Sequence, residues 1–277
     1  MSSASNGNCE GLLHEFHKMS GLHVLITGAS GGLGVALARH YARTGVRLTL
    51  WGRNEAQLQA LAQACEATGA SAVIRVLDIT DVPAAVAAIL EDDACEPVDI
   101  AIFASGLGDI RASGDTVEDA ALVARLGTVN FTAPAAMAAA LAGRMAERKA
   151  GTIVLVGSAA AFHALPFAAA YSGTKAGLAR FADALRLGVR QHGVKVTLVS
   201  PGFIDTEAGR KVPGPKPMLL GPNVVAARIA AAAQRGVPHA IMPWPFRALR
   251  LFDRLLPRPL RDRLLLSLTP PEQSPAA

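Results

Sequence analysis

Two hydrophobic periods take turns along this chain. Short apolar runs, bounded by Gly, Pro or polar residues, alternate with longer stretches in which apolar residues recur every three or four positions. The first short run, 23–26, leads into a Gly-rich turn. A helix is predicted over 33–43, stopped by Gly45, and 47–51 reads as the next strand. Strand, turn, helix, strand is the crossover that parallel strands require. The pattern continues with a helix over 55–68, a strand over 72–77 and a helix over 83–90 with proline in its first turn. Strands over 98–103, 152–156 and 195–199 then alternate with helices over 120–145, 171–192 and 224–235. Such alternation predicts an α/β fold, a doubly wound parallel sheet with helices on both faces.

Composition supports one large core. The 277 residues are 51% hydrophobic and 18% charged, and small residues dominate over aromatic ones. Strands buried on both faces and close-packed helices favour such side chains. The expected organisation is a flexible leader over 1–20, a single α/β domain over 21–244, a basic helical extension over 245–268 and a disordered tail over 269–277. The polar N-terminus lacks the apolar stretch of a secretory signal, and no apolar run reaches the length of a membrane span. Cys9, Cys65 and Cys95 form no CxxC pair and have no histidine at ligand spacing, so neither a disulfide framework nor a metal site is expected. A cytoplasmic protein follows.

The net charge of +5 is concentrated near the C-terminus. Residues 246–268 carry six Arg against Asp253 and Asp262, leaving the remainder close to neutral. No nucleic-acid partner is expected, because the body lacks a broad basic face. Wound as a helix, 246–256 places Arg247, Arg250 and Arg254 on one side and Leu249, Phe252, Leu255 and Leu256 on the other. Pro257 and Pro259 follow, and 260–268 can form a second short helix. An Arg-rich amphipathic helix can lie in a membrane interface, which would make the protein membrane-peripheral. The other reading packs the leucine face on the body or a partner subunit and leaves Arg in solvent.

The Gly-rich turn is Thr27-Gly28-Ala29-Ser30-Gly31-Gly32-Leu33-Gly34. Lying between a first strand and a first helix, it suits a dinucleotide pyrophosphate: glycines admit close backbone approach, and the helix N-terminus favours an anion. This makes the predicted sheet Rossmann-type. The turn resembles the Thr-Gly-x-x-x-Gly-x-Gly signature of short-chain dehydrogenases, and equally satisfies the variant of their extended relatives. The second strand ends in Trp51-Gly52-Arg53 with no carboxylate. An acid there would hold a ribose 2′-hydroxyl, whereas Arg53 can pair with a 2′-phosphate, so NADP(H) is expected. By resemblance, Asp78 and Ile79 adjoin the adenine. One departure stands out: Phe103-Ala104-Ser105-Gly106 replaces the family's usual Asn-Asn-Ala-Gly, although Ser105 and Gly106 still permit a close backbone approach.

Tyr171 and Lys175 are four residues apart in a predicted helix and so share a face. A phenol titrates near ~10, and a neighbouring ammonium lowers that value. Ser158 precedes Tyr171 by thirteen positions and Asn130 precedes Ser158 by twenty-eight. In this order they resemble the Asn, Ser, Tyr, Lys set of the same family, over roughly residues 22–240. Pro201-Gly202 and Thr206 resemble its motif beside the nicotinamide. The spacing and length favour the compact, single-domain branch.

The resemblance implies interconversion of a ketone and a secondary alcohol. Tyr171 would exchange the proton, Ser158 would bond the substrate oxygen, Lys175 would tune Tyr171 and hold the nicotinamide ribose, and Asn130 would order a water. The expected pocket wall is largely apolar, drawn from Phe162, His163, Leu165, Pro166, Phe167 and the 205–222 loop. A lipophilic substrate follows, with Phe162 and His163 as candidate contacts beside Ser158 and Tyr171. A homodimer or homotetramer is the expected assembly. The rival readings are a non-catalytic NADP(H)-binding protein and a membrane-peripheral scaffold on the same fold.

Overall fold

A computed structural model describes residues 21–112, 114–212 and 214–267. The expectations for 1–20 and 269–277 lie outside the described residues. Seven strands form one parallel sheet, ordered β3-β2-β1-β4-β5-β6-β7. They are β1 (Leu22–Thr27), β2 (Val46–Gly52), β3 (Ser71–Val76), β4 (Ile100–Phe103), β5 (Gly151–Val156), β6 (Val194–Pro201) and β7 (His239–Met242). The chain leaves β1 in opposite directions on the two sides of the sheet. The reversal falls between β1 and β4, the place where such sheets open a crevice beyond their strand ends.

Apolar residues face both sides of the strands. Val24, Ile26, Leu48, Leu50 and Val154 pack under α1 (Gly32–Tyr41), α2 (Glu55–Glu66) and, much further along, α8 (Pro222–Arg235). Leu25, Trp51, Phe103, Ile153 and Leu155 pack under α3 (Val82–Cys95), α5 (Ala133–Glu147) and α6 (Ala169–Val189). The expected fold class holds.

Several boundaries move for reasons the periodicity hides. Helix α3 runs past Leu90 to Cys95 because the acidic residues that interrupt its apolar stripe have partners. Asp92 accepts from Trp51 Nε1 at 2.8 Å, and the buried Asp93 pairs with Arg148 at 2.9 Å. Asp93 also takes the Val98 amide at 2.9 Å, so Val98 belongs to a loop and β4 starts at Ile100. The strand β7 was not expected at all: four residues between Pro238 and Pro243 carry too little pattern, and β6 recruits them by pairing Leu198 to Pro201 with His239 to Met242. The 205–222 loop contains a short helix, α7 (Glu207–Lys211).

The predicted helix over 120–145 is continuous from Ala120 to Glu147, but consists of α4 (Ala120–Gly127), a π-helical turn (Thr128–Thr132) and α5. This run is long and apolar enough to cross a membrane, yet 56% of its most apolar window is buried in the protein. After β7 come α9 (Pro245–Leu255) and α10 (Arg258–Ser267), separated around Pro257.

Candidate active site

The glycine turn lies at the end of β1 and is shaped by what cannot fit there. Gly28 has φ +70°, and a Cβ on it would stand 2.9 Å from the Ser105 backbone. A Cβ on Gly34 would collide with the Gly28 carbonyl, and one on Gly32 would meet the Thr206 methyl at 2.7 Å. Ser30 Oγ lies 2.9 Å from where a Cβ on Gly52 would stand, at the end of β2. Leu33 packs partly buried against the core. Unlike α2, α3 and α4, which Asn54, Asp81 and Asp119 cap, α1 begins at Gly31 with no side-chain cap. Its first amides are therefore available to an outside acceptor.

Around this turn stand the other residues expected to hold a cofactor. Arg53 lies 3.7 Å from Asp78, and both side chains are well exposed. The Thr80 amide, with help from Arg53, holds the Asp78 carboxyl below its ordinary value. The Ile79 side chain is buried in the same core cluster as Trp51. Where the family's asparagines are replaced, Thr27 Oγ1 takes the Ser105 amide at 3.4 Å. Pro201 ends β6, the Gly202 amide reaches the Met242 carbonyl at 2.8 Å, and the Phe246 ring rests against the face of Gly202. Thr206 caps α7 by accepting from the Gly209 amide at 3.0 Å. The uncapped helix, the side-chain-free cradle and the exposed guanidinium of Arg53 suit a phosphorylated dinucleotide.

Ser158, Tyr171 and Lys175 converge. Ser158 follows β5, where its Oγ caps a 3₁₀ turn (Ala159–Phe162) by accepting from the Ala160 amide at 3.1 Å. Tyr171 lies in the first turn of α6, with the Ser158 hydroxyl close enough to act on its phenol. One turn on, Lys175 is almost fully buried and its Nζ donates to the Val156 carbonyl at 2.9 Å. Burial lowers the Lys175 ammonium to about 8. The sequence reading expects Lys175 to hold the phenol below its ordinary value. Here the opposite effect wins: burial pushes the Tyr171 phenol up, and only the Ser158 hydrogen bond pulls it back.

Asn130 sits in the π-helical turn, a feature that often marks functional positions. It is fully buried, and its amide grips one residue twice. Oδ1 accepts from the Leu107 amide at 2.8 Å, and Nδ2 donates to the Leu107 carbonyl at 2.9 Å. A Cβ on Gly106 would stand 3.3 Å from Asn130 Oδ1 and 3.4 Å from Lys175 Nζ, so Gly106, Asn130 and Lys175 share one pocket. The grip leaves the Asn130 amide one N–H and one lone pair for a water.

Three features of the site escape the sequence reading. Glu118 reaches across 52 positions to accept the Ala170 amide at 2.7 Å, capping the helix that carries Tyr171. Capping residues are sought next to the helix they serve, and this one is not. A second feature surrounds Phe162, which is stacked under the Arg250 guanidinium at 5.0 Å and beside the His239 ring at 5.9 Å; His163 lies edge-on to it. The third is a polar chain behind that ring. Arg250 Nη1 lies 3.2 Å from His239 Nδ1, and His239 Nε2 lies 2.9 Å from Ser200 Oγ. Arg only donates, so Nδ1 accepts and Nε2–H donates to Ser200. Burial, then Arg250, holds His239 down to about 4, so the ring is neutral. Arg250 thus turns toward the body, whereas the reading that packs the leucine face inward would leave it in solvent.

Comparison with known proteins agrees with this geometry. The family described as short chain dehydrogenase matches residues 22–216. An uncharacterized oxidoreductase from Myxococcus xanthus is 34% identical over 246 residues, covering 88% of this chain and 96% of that relative. A short-chain dehydrogenase from Sphingobium yanoikuyae in complex with NADPH has a TM-score of 0.74 at 29% identity, covering 92% of this chain and 98% of that one. A bulky-bulky ketone specific alcohol dehydrogenase from Comamonas testosteroni has a TM-score of 0.72 at 26% identity, covering 93% and 98%. The chain belongs to the short chain dehydrogenase family and is an oxidoreductase of that type.

Proposed function

We propose that the protein interconverts a ketone and a secondary alcohol using NADP(H), on a lipophilic substrate. The observation that carries this reading is the Ser158 hydroxyl beside the Tyr171 phenol, with the buried Lys175 one helical turn away on the same helix. It gives one substrate oxygen both a proton donor and a second hydrogen bond. A nicotinamide cofactor held along the glycine turn supplies or accepts the hydride.

The chain's own residues do the rest. Tyr171 passes its phenolic proton to the carbonyl oxygen as charge builds there. Ser158 Oγ donates to the same oxygen and stabilises that charge. The phenolate left behind gains from the positive charge of Lys175, one helical turn away on the same face. Asn130 fixes Leu107 and so the wall beside Lys175. Arg53 is placed to pair with a 2′-phosphate in place of the Asp78 carboxylate.

The Sphingobium relative forms a complex with NADPH, and the Comamonas relative is specific for bulky-bulky ketones. Phe162 and Phe167, both half-buried, follow Ser158 closely in the chain and supply apolar rings on that side. The test is an NADPH-oxidation screen over ketones of increasing chain length. Consumption that rises with chain length is expected. Tight NADPH binding without turnover of any ketone or alcohol would leave a cofactor-binding protein and refute the reading.

A further inference from the structure

Both C-terminal helices carry exposed leucines. On α9, Phe246 is buried against Gly202, and Arg250, one turn later, stacks on Phe162 and reaches His239. Among the described side chains of α9, these two reach the body. Leu251 and Leu255 lie about 140° around the helix from them at 100° per residue. They are 60% and 72% exposed. On α10, Leu265 is buried while Leu260, Leu264 and Leu266 are 53%, 45% and 62% exposed. Trp244, immediately before α9, is 74% exposed. A soluble surface carries single exposed leucines as a matter of course; five on two consecutive helices, with an indole beside them, mark an interaction surface.

Charge selects the partner. Arg247, Arg258 and Arg263 are exposed on the same two helices, and Asp262 is already paired with Arg261 at 3.2 Å. A second copy docked about a twofold axis would bring this basic patch against its own equivalent, which like-charge repulsion disfavours. An anionic lipid surface satisfies both halves of the pattern. Leucines enter the acyl boundary, arginines meet phosphate groups, and an indole suits the headgroup level. We propose that α9 and α10 dock this protein on anionic membranes through Trp244, Leu251, Leu255, Leu260 and Leu264, with Arg247, Arg258 and Arg263 at the phosphates. The docking needs no feature of the catalytic chemistry.

The experiment is co-sedimentation of the full chain with vesicles of phosphatidylcholine, alone or mixed with phosphatidylglycerol. Sedimentation with the anionic vesicles, at least tenfold stronger than with the neutral ones and weakened by salt, is expected. Trp244 emission should shift to the blue, whereas Trp51 is already buried and should not respond. Leu251→Glu with Leu255→Glu should abolish sedimentation, and Arg258→Glu with Arg263→Glu should reduce it, while circular dichroism and melting stay unchanged. Equal binding to both vesicle types, no binding, or binding retained by the double glutamate variant would overturn the proposal. A wild-type dimer that ignores vesicles and falls to monomer in the Leu251→Glu, Leu255→Glu variant would also overturn it, assigning the face to a second copy.

Discussion

Replacing Asn130 with leucine isolates the contact that joins the helix core to the active-site wall. Asn130 is fully buried and binds both the amide and the carbonyl of Leu107, at 2.8 and 2.9 Å. Leucine has nearly the same length and shape but can do neither. A buried donor or acceptor left without a partner costs about 1–3 kcal/mol. Two such groups would cost about 2–6 kcal/mol, and since Leu107 is only half-buried, water relieves part of that. The expected loss is therefore about 2–4 kcal/mol. Urea unfolding of wild type and Asn130→Leu measures it, read from the midpoint at matched m-values. Activity should fall as well, because Leu107 follows Gly106, whose bare Cα faces Lys175. A loss below about 1 kcal/mol with unchanged m would refute the reasoning, because a net gain from burying leucine would then outweigh both hydrogen bonds.

Three further outcomes are expected. Arg53→Gln should lower kcat/KM for NADPH by about 10- to 100-fold, the worth of one or two charge-assisted hydrogen bonds, while leaving NADH almost unaffected; equal losses with both cofactors would remove the 2′-phosphate role. Lys175 should make stability pH-dependent in a definite sense. Its pKa falls from 10.5 to about 8 on folding, so between these values the unfolded chain binds more protons and stability rises with pH. The rise, about 3 kcal/mol across the window, should appear in wild type and be missing from Lys175→Met; parallel stability–pH curves would contradict it. Arg250→Ala should raise KM for a bulky ketone more than it lowers kcat, by freeing the Phe162 ring, and Arg250→Lys should restore part of the effect; an unchanged KM would deny Arg250 this positioning role.

The alternation of strand and helix was readable because buried parallel strands and amphipathic helices write different periods. The glycine turn was readable because only glycine tolerates what Gly28, Gly32 and Gly34 must tolerate. That Tyr171 and Lys175 share one helix was readable from their spacing, and Ser158 was singled out by its resemblance to the family's set. What stayed hidden depends on contacts between distant segments. Glu118 caps a helix that starts 51 residues later, at Ala169. The π-helical turn at Thr128–Thr132 reflects packing that no local propensity encodes. The strand β7 exists only because β6 supplies its hydrogen bonds. Winding separates the arginines of α9 from its leucines without saying which of them meet the body. Arg250 is drawn inward by Phe162 and His239, neither of them near it in sequence. The phenol of Tyr171 moved up, not down, because spacing reports a neighbouring charge but not how much water both groups have lost.

Tyr171 is the group proposed to exchange a proton with the substrate oxygen. Single-turnover reduction of the best ketone from the chain-length screen, compared between wild type and Tyr171→Phe with NADPH affinity measured in parallel, tests this most directly. A rate loss of about 100- to 10,000-fold, the usual worth of a general acid, with unchanged NADPH affinity is the predicted result. A variant that keeps more than a tenth of the wild-type rate would contradict it.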